Sequence, residues 1–130
     1  DHFLFRLGDS LAQVCNAPSD KTGVYLVYGL KGGSIELVYI DYSAIMRIEK
    51  GQMSIVKAGM GALKDRIVEK GNSASNDWET LMASGNIEAL DIYWYVTDAG
   101  EYDDSPRRLK RRLLNKYLNI FGRLPSWNQG

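Results

Sequence analysis

Gly23–Asp41 reads GVYLVYGLKGGSIELVYID, in which two runs of β-branched and aromatic residues flank a glycine-rich turn. Valine, isoleucine and tyrosine favour β-strands. The pair Gly32-Gly33 supplies the positive φ angles that a tight hairpin turn requires. The stretch therefore predicts an antiparallel β-hairpin over about Val24–Ile40.

The rest of the chain predicts one more strand and several helices around this hairpin. Ala89–Val96 is an aromatic-rich strand whose composition suits a central position in a sheet. Caps and apolar spacing predict four helices: a short one opened by Asp9-Ser10, one over Gly61–Lys70, one from Asn76-Asp77 through Met82, and one from Ser105-Pro106 to about Phe121. We expect a long loop over Tyr42–Gly59. The fold class is α/β, with a small antiparallel three-stranded sheet flanked by helices.

Composition limits the classes of protein to which the chain can belong. Its 130 residues suggest a single domain, and a formal net charge of zero means that no overall field attracts nucleic acid. A single cysteine, Cys15, excludes an internal disulfide and fits a cytoplasmic location. The single histidine, His2, makes a histidine-based triad or zinc site unlikely, and we expect it to lie in a frayed terminus. No apolar run is long enough to span a membrane.

The neutral total hides a basic helix near the end of the sequence. Seven basic residues and no acidic ones lie between Pro106 and Pro125. At about 100° per residue, one face of this helix collects most of the charge: Arg107, Arg108, Arg111, Arg112 and Lys116. The opposite face is apolar: Leu109, Leu113, Leu114, Tyr117, Ile120 and Phe121. Such a helix is either a solvated amphipathic element or a surface that contacts phosphate. Lys110 lies within the apolar arc, which can mark a site.

Four segments, in order, resemble the GIY-YIG endonuclease family. Gly23-Val24-Tyr25 and Val38-Tyr39-Ile40 resemble the two motif strands, and Gly61–Ile67 resembles the helix that carries the family's arginine. Pro125–Asn128 resembles the family's closing turn. Together the four segments lie within residues 22–128, so the resemblance covers most of the chain.

The resemblance implies metal-assisted hydrolysis of phosphodiesters. Tyr25 and Tyr39 would help to activate or orient water, and Arg66 would stabilise charge on the phosphate. In the family, a glutamate holds a divalent cation that polarises the phosphate. An active member would therefore use Mg²⁺ or Mn²⁺ as its cofactor.

Three positions depart from the family pattern, and two of them, Asp41 and Lys110, change charge. Lys110 stands where the metal-binding glutamate is expected, and a lysine repels a cation that requires oxygen ligands. Asp41 replaces the last glycine of the second motif, and Ala44 stands where glycine is more usual. We assign no metal ligand and expect no cofactor. Because both altered positions would border one site, we predict that Asp41 and Lys110 form an ion pair.

Three functional hypotheses follow from these residues. The first is a degenerate GIY-YIG domain that binds DNA or RNA through its basic helix and cleaves weakly or not at all. The second is an active endonuclease in which Asp41 supplies a relocated metal ligand. The third is a protein-interaction module on an inherited nuclease fold, which the acidic segment Asp98–Asp104 favours.

Overall fold

A computed structural model describes residues 1–43, 45–49, 52–56, 62–74, 77–97 and 106–128. Along the chain the described elements are β1 (His2–Arg6), α1 (Leu11–Val14), β2 (Gly23–Lys31), β3 (Ser34–Ser43), β4 (Ile45–Glu49), β5 (Gln52–Val56), α2 (Leu63–Gly71), α3 (Trp78–Gly85), β6 (Ala89–Val96) and α4 (Pro106–Phe121). The fold is therefore α/β, as predicted. Gly61, Asn76, Ser105, Ala44 and the segment Asp98–Asp104 lie outside the described residues.

The main sheet has four antiparallel strands in the order β1-β6-β2-β3, so the prediction of three strands was wrong. The additional strand is β1, in which His2 pairs with Tyr93 rather than fraying. Its sequence, HFLFR, alternates, and Phe3 and Phe5 are buried. Five residues at a chain end give only a weak period-two signal, which is why this strand was missed. The central position predicted for Ala89–Val96 is confirmed.

The predicted hairpin is confirmed and extends from Gly23 to Ser43. Gly32 and Gly33 form its two-residue turn at φ 51° and 85°, and Lys31 pairs with Ser34 across it. A register shift follows Val27, because Val27 lies opposite Tyr39 whereas Tyr28 lies opposite Leu37.

Beyond this shift, Tyr25 lies directly opposite Asp41. Directly opposed residues share one face of a sheet, and so do residues two apart. Tyr25, Val27, Tyr39 and Asp41 therefore share a face.

That face carries the main hydrophobic core. Its buried members come from the sheet and from the three shorter helices: Phe3, Phe5, Leu11, Tyr25, Val27, Leu63, Ile67, Trp78, Met82, Leu90 and Ile92. Leu90, Ile92 and Tyr117 are buried, whereas Trp94 and Leu113 are only partly buried. Within the described residues, no helix is both long and apolar enough to cross a membrane.

Helix α4 packs against β3 and β2 and ends as predicted at Gly122, whose φ is 72°. Its predicted apolar face is only partly covered, because Ile120 and Phe121 are 65% and 58% exposed. Their spacing fits the apolar arc, but both side chains remain largely exposed to solvent. The helical pattern therefore predicted the direction of the apolar face correctly, but the buried part of that face ends before Ile120.

The segment after α4 returns to the open side of β3. The Trp127 N–H donates to the Val38 carbonyl at 2.8 Å. The Asn128 side chain bonds both backbone groups of Ile40, accepting from its N–H and donating to its carbonyl, each at 2.9 Å. These bonds occupy an edge of the sheet that would otherwise expose unpaired backbone groups.

The predicted long loop over Tyr42–Gly59 contains a second, two-stranded sheet, which corrects that expectation. Ile45 of β4 pairs with Val56 of β5, and Glu49 pairs with Gln52. The signal lay in β-branched residues on both sides of Lys50-Gly51, in arms too short to show a clear period. Helix α3 begins as predicted, since the Asp77 carboxylate accepts the Thr80 N–H at 2.7 Å.

Gly23 is required by a close backbone approach between strands. A Cβ atom at this position would lie 1.9 Å from the Tyr95 carbonyl oxygen of β6. We predict that Gly23→Ala lowers the free energy of unfolding by about 3 kcal/mol, because β2 and β6 must separate to admit the methyl group. Urea denaturation followed by circular dichroism measures the change.

Gly85→Ala is the matched control. Its Cβ would lie 3.5 Å from the Ile87 side chain, an ordinary contact, and alanine is the better helix former. This variant should unfold at the same urea concentration as the wild type or at a higher one. Equal losses in the two variants would contradict the steric argument.

Candidate functional site

The predicted site residues Tyr25, Tyr39, Asp41, Arg66 and Lys110 come together around one buried carboxylate. The Asp41 side chain is 2% exposed. Its Oδ2 accepts a hydrogen bond from the Tyr25 hydroxyl at 3.0 Å and lies 3.3 Å from the Arg66 Nε. Its Oδ1 lies 3.2 Å from the Lys110 Nζ. The predicted ion pair between Asp41 and Lys110 is confirmed.

Four separate elements position these groups. Strand β2 carries Tyr25, strand β3 carries Tyr39 and Asp41, helix α2 carries Arg66, and helix α4 carries Lys110. The start of α2 is tied to the segment before β2, since the Leu63 and Lys64 N–H groups donate to the carbonyls of Lys21 and Pro18 at 2.8 and 3.1 Å. These bonds fix the helix so that Arg66, one turn on, reaches the carboxylate.

Electrostatics keep Asp41 ionised. Burial alone would raise the pKa of its carboxyl. The Tyr42 backbone N–H, the charges of Lys110 and Arg66, and the Tyr25 hydroxyl all favour the carboxylate, and together they lower its pKa below the ordinary value. Desolvation alone would lower the pKa of the Arg66 guanidinium, but the charge of Asp41, the neighbouring Tyr25 and Tyr39 and the hydrogen bond to Asp41 together raise it.

Both motif tyrosines remain protonated. Burial and the nearby Asp41 charge raise the pKa of Tyr25 and that of Tyr39 far above the ordinary tyrosine value. Tyr25 has no exposed surface, and its hydroxyl donates a hydrogen bond to the Asp41 carboxylate. Tyr39 is only partly buried, with its ring centroid 6.1 Å from that of Tyr25. Tyr39 is therefore the motif tyrosine that retains access to the surface.

The residues of this cluster do not fit the divalent cation that the family resemblance implies. Asp41 is the carboxylate of the cluster, and ammonium or guanidinium nitrogens already contact both of its oxygens. Mg²⁺ requires several oxygen ligands in a regular geometry. Among the described residues, no group of three His, Cys, Asp or Glu side chains is placed to hold a metal ion.

One contact of Lys110 was not foreseen. Its Nζ lies 5.5 Å from the centroid of the Tyr42 ring, within range of a cation–π interaction. Tyr42 adjoins Asp41 in the sequence, so one short stretch of β3 supplies both a carboxylate and an aromatic ring to the same ammonium. The side chain of Lys110 is 25% exposed, and this arrangement holds it at the margin of the cluster.

The other predicted nucleic-acid-binding residues lie on the outside of α4. Arg107, Arg108, Arg111, Arg112 and Lys116 are all exposed. They are separate from the Asp41 cluster. In the described part of the chain, Lys110 is the residue of this helix that joins the cluster by an ion pair. The helix therefore presents one cation inward and a basic face outward.

The charge on Asp41 makes the free energy of unfolding depend on pH in the acidic range. Its folded-state pKa lies below the unfolded value of 3.8, so its contribution is present above that pH and is lost as the pH falls through the folded pKa. We predict that the stability difference between the wild type and Asp41→Asn is largest near pH 6 and shrinks below pH 3.8. Urea denaturation of both proteins over this range measures it, and a constant difference would contradict an ionised Asp41.

Coupling between Asp41 and Lys110 is measurable directly. Asp41→Asn leaves two cations near a neutral amide, and we predict a loss of about 2–3 kcal/mol in the free energy of unfolding. Lys110→Met keeps the apolar stem and should cost about 1 kcal/mol, since the pair is partly exposed. The double variant should be more stable than the sum of the single losses predicts.

Lys116→Met is the matched control for this cycle. Lys116 is an exposed lysine on the same helix, six residues after Lys110. Its loss should add to that of Asp41→Asn without coupling. Strict additivity for Lys110 as well would rule out an energetic role for the ion pair.

Comparisons of this chain with protein-family models, with curated proteins and with solved structures find no match.

Proposed function

We propose that this domain binds nucleic acid through the outer face of α4, and that its GIY-YIG-like site has lost most or all cleavage activity. The observation that carries the proposal is the Lys110 ammonium, 3.2 Å from Asp41 Oδ1, at the position where the resembled family has a metal-binding glutamate. The Lys110 ammonium is thus a positive charge of the chain itself at the position where the resembled family would bind a metal ion.

The charges of the cluster support the loss of cleavage. Arg66 and Lys110 contribute two positive charges and Asp41 one negative charge, so the cluster carries a net positive charge of one. A divalent cation would have to displace both partners of Asp41 and leave them without a counterion in a partly desolvated place. This also weighs against the hypothesis that Asp41 is a relocated metal ligand.

The remaining family chemistry is also altered. The Tyr25 hydroxyl donates a hydrogen bond to Asp41 and is buried, so it is not placed to orient water for attack on a substrate. Arg66 is 35% exposed and Tyr39 is partly buried, so both retain some surface. These two groups and Lys110 fit a role in contacting a phosphate better than a role in breaking its ester bond.

The outer face of α4 is suited to a phosphate backbone. Arg107 and Arg111, like Arg108 and Arg112, are four residues apart and lie in neighbouring rows along the helix. From Arg108 to Lys116 the basic face extends about 12 Å at the α-helical rise. Several exposed cations over that length can neutralise successive phosphates and release their counterions.

The binding test uses fluorescence anisotropy with labelled single-stranded DNA, duplex DNA and an RNA hairpin over a range of salt concentrations. We predict binding at low salt that weakens linearly on a plot of log affinity against log salt. Arg108→Gln with Arg111→Gln should flatten the slope by about 1.5–2, since two phosphate contacts are removed.

The charge-matched control is Arg6→Gln with Lys31→Gln. Both residues are exposed and lie on β1 and at the hairpin turn, outside α4. This pair should leave the slope unchanged. Absence of binding at low salt, or an equal effect of both pairs, would overturn the nucleic-acid proposal and favour the protein-interaction module.

The cleavage test incubates the wild type with plasmid DNA and Mg²⁺ or Mn²⁺. We predict no cleavage above background, because a lysine holds the ligand position. Robust cleavage that Asp41→Ala abolishes and Lys116→Ala preserves would instead establish Asp41 as a metal ligand. Because binding and cleavage are measured separately, failure of one half of the proposal leaves the other half open to its own test.

A further inference from the structure

A cavity lies on the face of the main sheet opposite the Asp41 cluster. Asp91, Tyr93 and Tyr95 are two residues apart on β6 and therefore share a face, and Tyr28 lies directly opposite Asp91. Trp94, which pairs with Tyr25, belongs to the other face. The cavity measures about 200 Å³, and Leu30 and Ile35 complete its lining.

The rings of Tyr28, Tyr93 and Tyr95 line this cavity. Tyr28 meets Tyr93 edge to face, with their centroids 5.6 Å apart and their planes at 81°. His2 stacks on Tyr93 at 4.6 Å with an angle of 8° between the rings and holds that ring in place. Tyr95 is 49% exposed and Ile35 is 70% exposed, so the cavity opens to the surface.

Acidic groups determine the electrostatic character of the cavity. Asp91 is the charged lining residue, and its side chain is 18% exposed. One of its oxygens lies 2.7 Å from His2 Nδ1. Glu88 lies beside the hairpin turn, where its Oε1 accepts the Gly32 N–H at 3.3 Å. Burial, the neighbouring tyrosines and Asp91 raise the pKa of Tyr28, so its ring stays neutral at ordinary pH.

Aromatic faces attract cations through their quadrupole, and a carboxylate at the same place adds direct charge attraction. Phosphate groups are disfavoured by the same carboxylate. The cavity has several times the volume of a water molecule, about 30 Å³. It therefore has room for the end of a basic side chain.

We propose that this cavity binds the alkylammonium group of a lysine side chain presented by a partner protein. The rings of Tyr28, Tyr93 and Tyr95 contact the methylene groups and the cation, and Asp91 pairs with the ammonium. The site lies on the face opposite the Asp41 cluster and rests on none of the residues used for the nucleic-acid proposal, so each stands or falls alone.

The test is an NMR titration of the full chain with n-butylammonium chloride, following the tyrosine ring signals. 1-Butanol, with sodium chloride added to the same ionic strength, is the neutral counterpart. We expect saturable shifts at Tyr28, Tyr93 and Tyr95, and binding of butylammonium at least about three-fold tighter than binding of butanol. Equal binding of the two, or no response to butylammonium, would overturn the proposal.

Two variants locate the site. Asp91→Asn and Tyr95→Leu should each weaken butylammonium binding about three- to five-fold. Tyr95 is half exposed, so its replacement tests the cavity without disturbing the core. Glu36→Gln, an exposed acidic position on β3 outside the cavity lining, is the control and should bind as the wild type does.

Adenosine monophosphate provides the last arm, because tyrosine rings also stack on nucleobases. The nucleotide should not shift the three tyrosine signals. Shifts with the nucleotide and none with butylammonium would assign the cavity to base stacking and overturn the cationic site.

Discussion

A buried carboxylate must be paired, and in this domain the pairing of Asp41 joins the sheet to two helices. Leaving an ionised group unpaired inside a protein costs several kcal/mol. The groups that pair with a buried charge are therefore held in place together with it. Tyr25 reaches Asp41 from the neighbouring strand, Arg66 from α2 and Lys110 from α4. The two helices are far apart in the sequence, and this carboxylate gives them a common contact. The position of α4, and with it the direction of its basic face, depends on that contact.

The other side of β3 is held by neutral hydrogen bonds. Asn128 satisfies both backbone groups of Ile40, and Trp127 adds a bond to Val38, so the closing segment binds the edge that α4 leaves open. The strand is thus fixed by β2 on one edge, by the closing segment on the other, and by the ion pairs across its face. The Asp41 charge is therefore paired inside the molecule, and the cluster as a whole keeps one excess positive charge. The outer face of α4 carries further exposed cations, among them Arg107, Arg108, Arg111 and Lys116.

Local signals in the sequence predicted the elements whose patterns are long, and tertiary contacts decided the rest. The hairpin, β6 and α4 were predictable from turn glycines, aromatic density and a sixteen-residue helical pattern. Strand β1 and the pair β4 and β5 were not, because five residues carry too few repeats to establish a period. The Asp41–Lys110 pair was predictable because, at two positions of the resembled family's pattern, this chain has residues of opposite charge in place of the usual glycine and glutamate. The complete burial of Tyr25 depends on the packing of the shorter helices on its face of the sheet, and the contact of Lys110 with Tyr42 depends on how α4 lies on the sheet. No local pattern specifies either.

The zero net charge of this chain is the sum of separated regions of opposite sign. Around Asp41, Arg66 and Lys110 supply two positive charges against one negative charge, and the exposed face of α4 carries further cations. On the face of the sheet opposite the Asp41 side chain, Asp91 lies among tyrosines with Glu88 nearby. Exposed charges more than a Debye length apart, about 10 Å at 0.1 M salt, are largely screened from each other. Two separate regions of the surface can therefore attract ligands of opposite charge, which the total charge of the chain does not reveal. The proposed loss of cleavage is compatible with this arrangement, since a domain that connects an anionic ligand to a cationic one needs two stable surfaces and no chemistry between them.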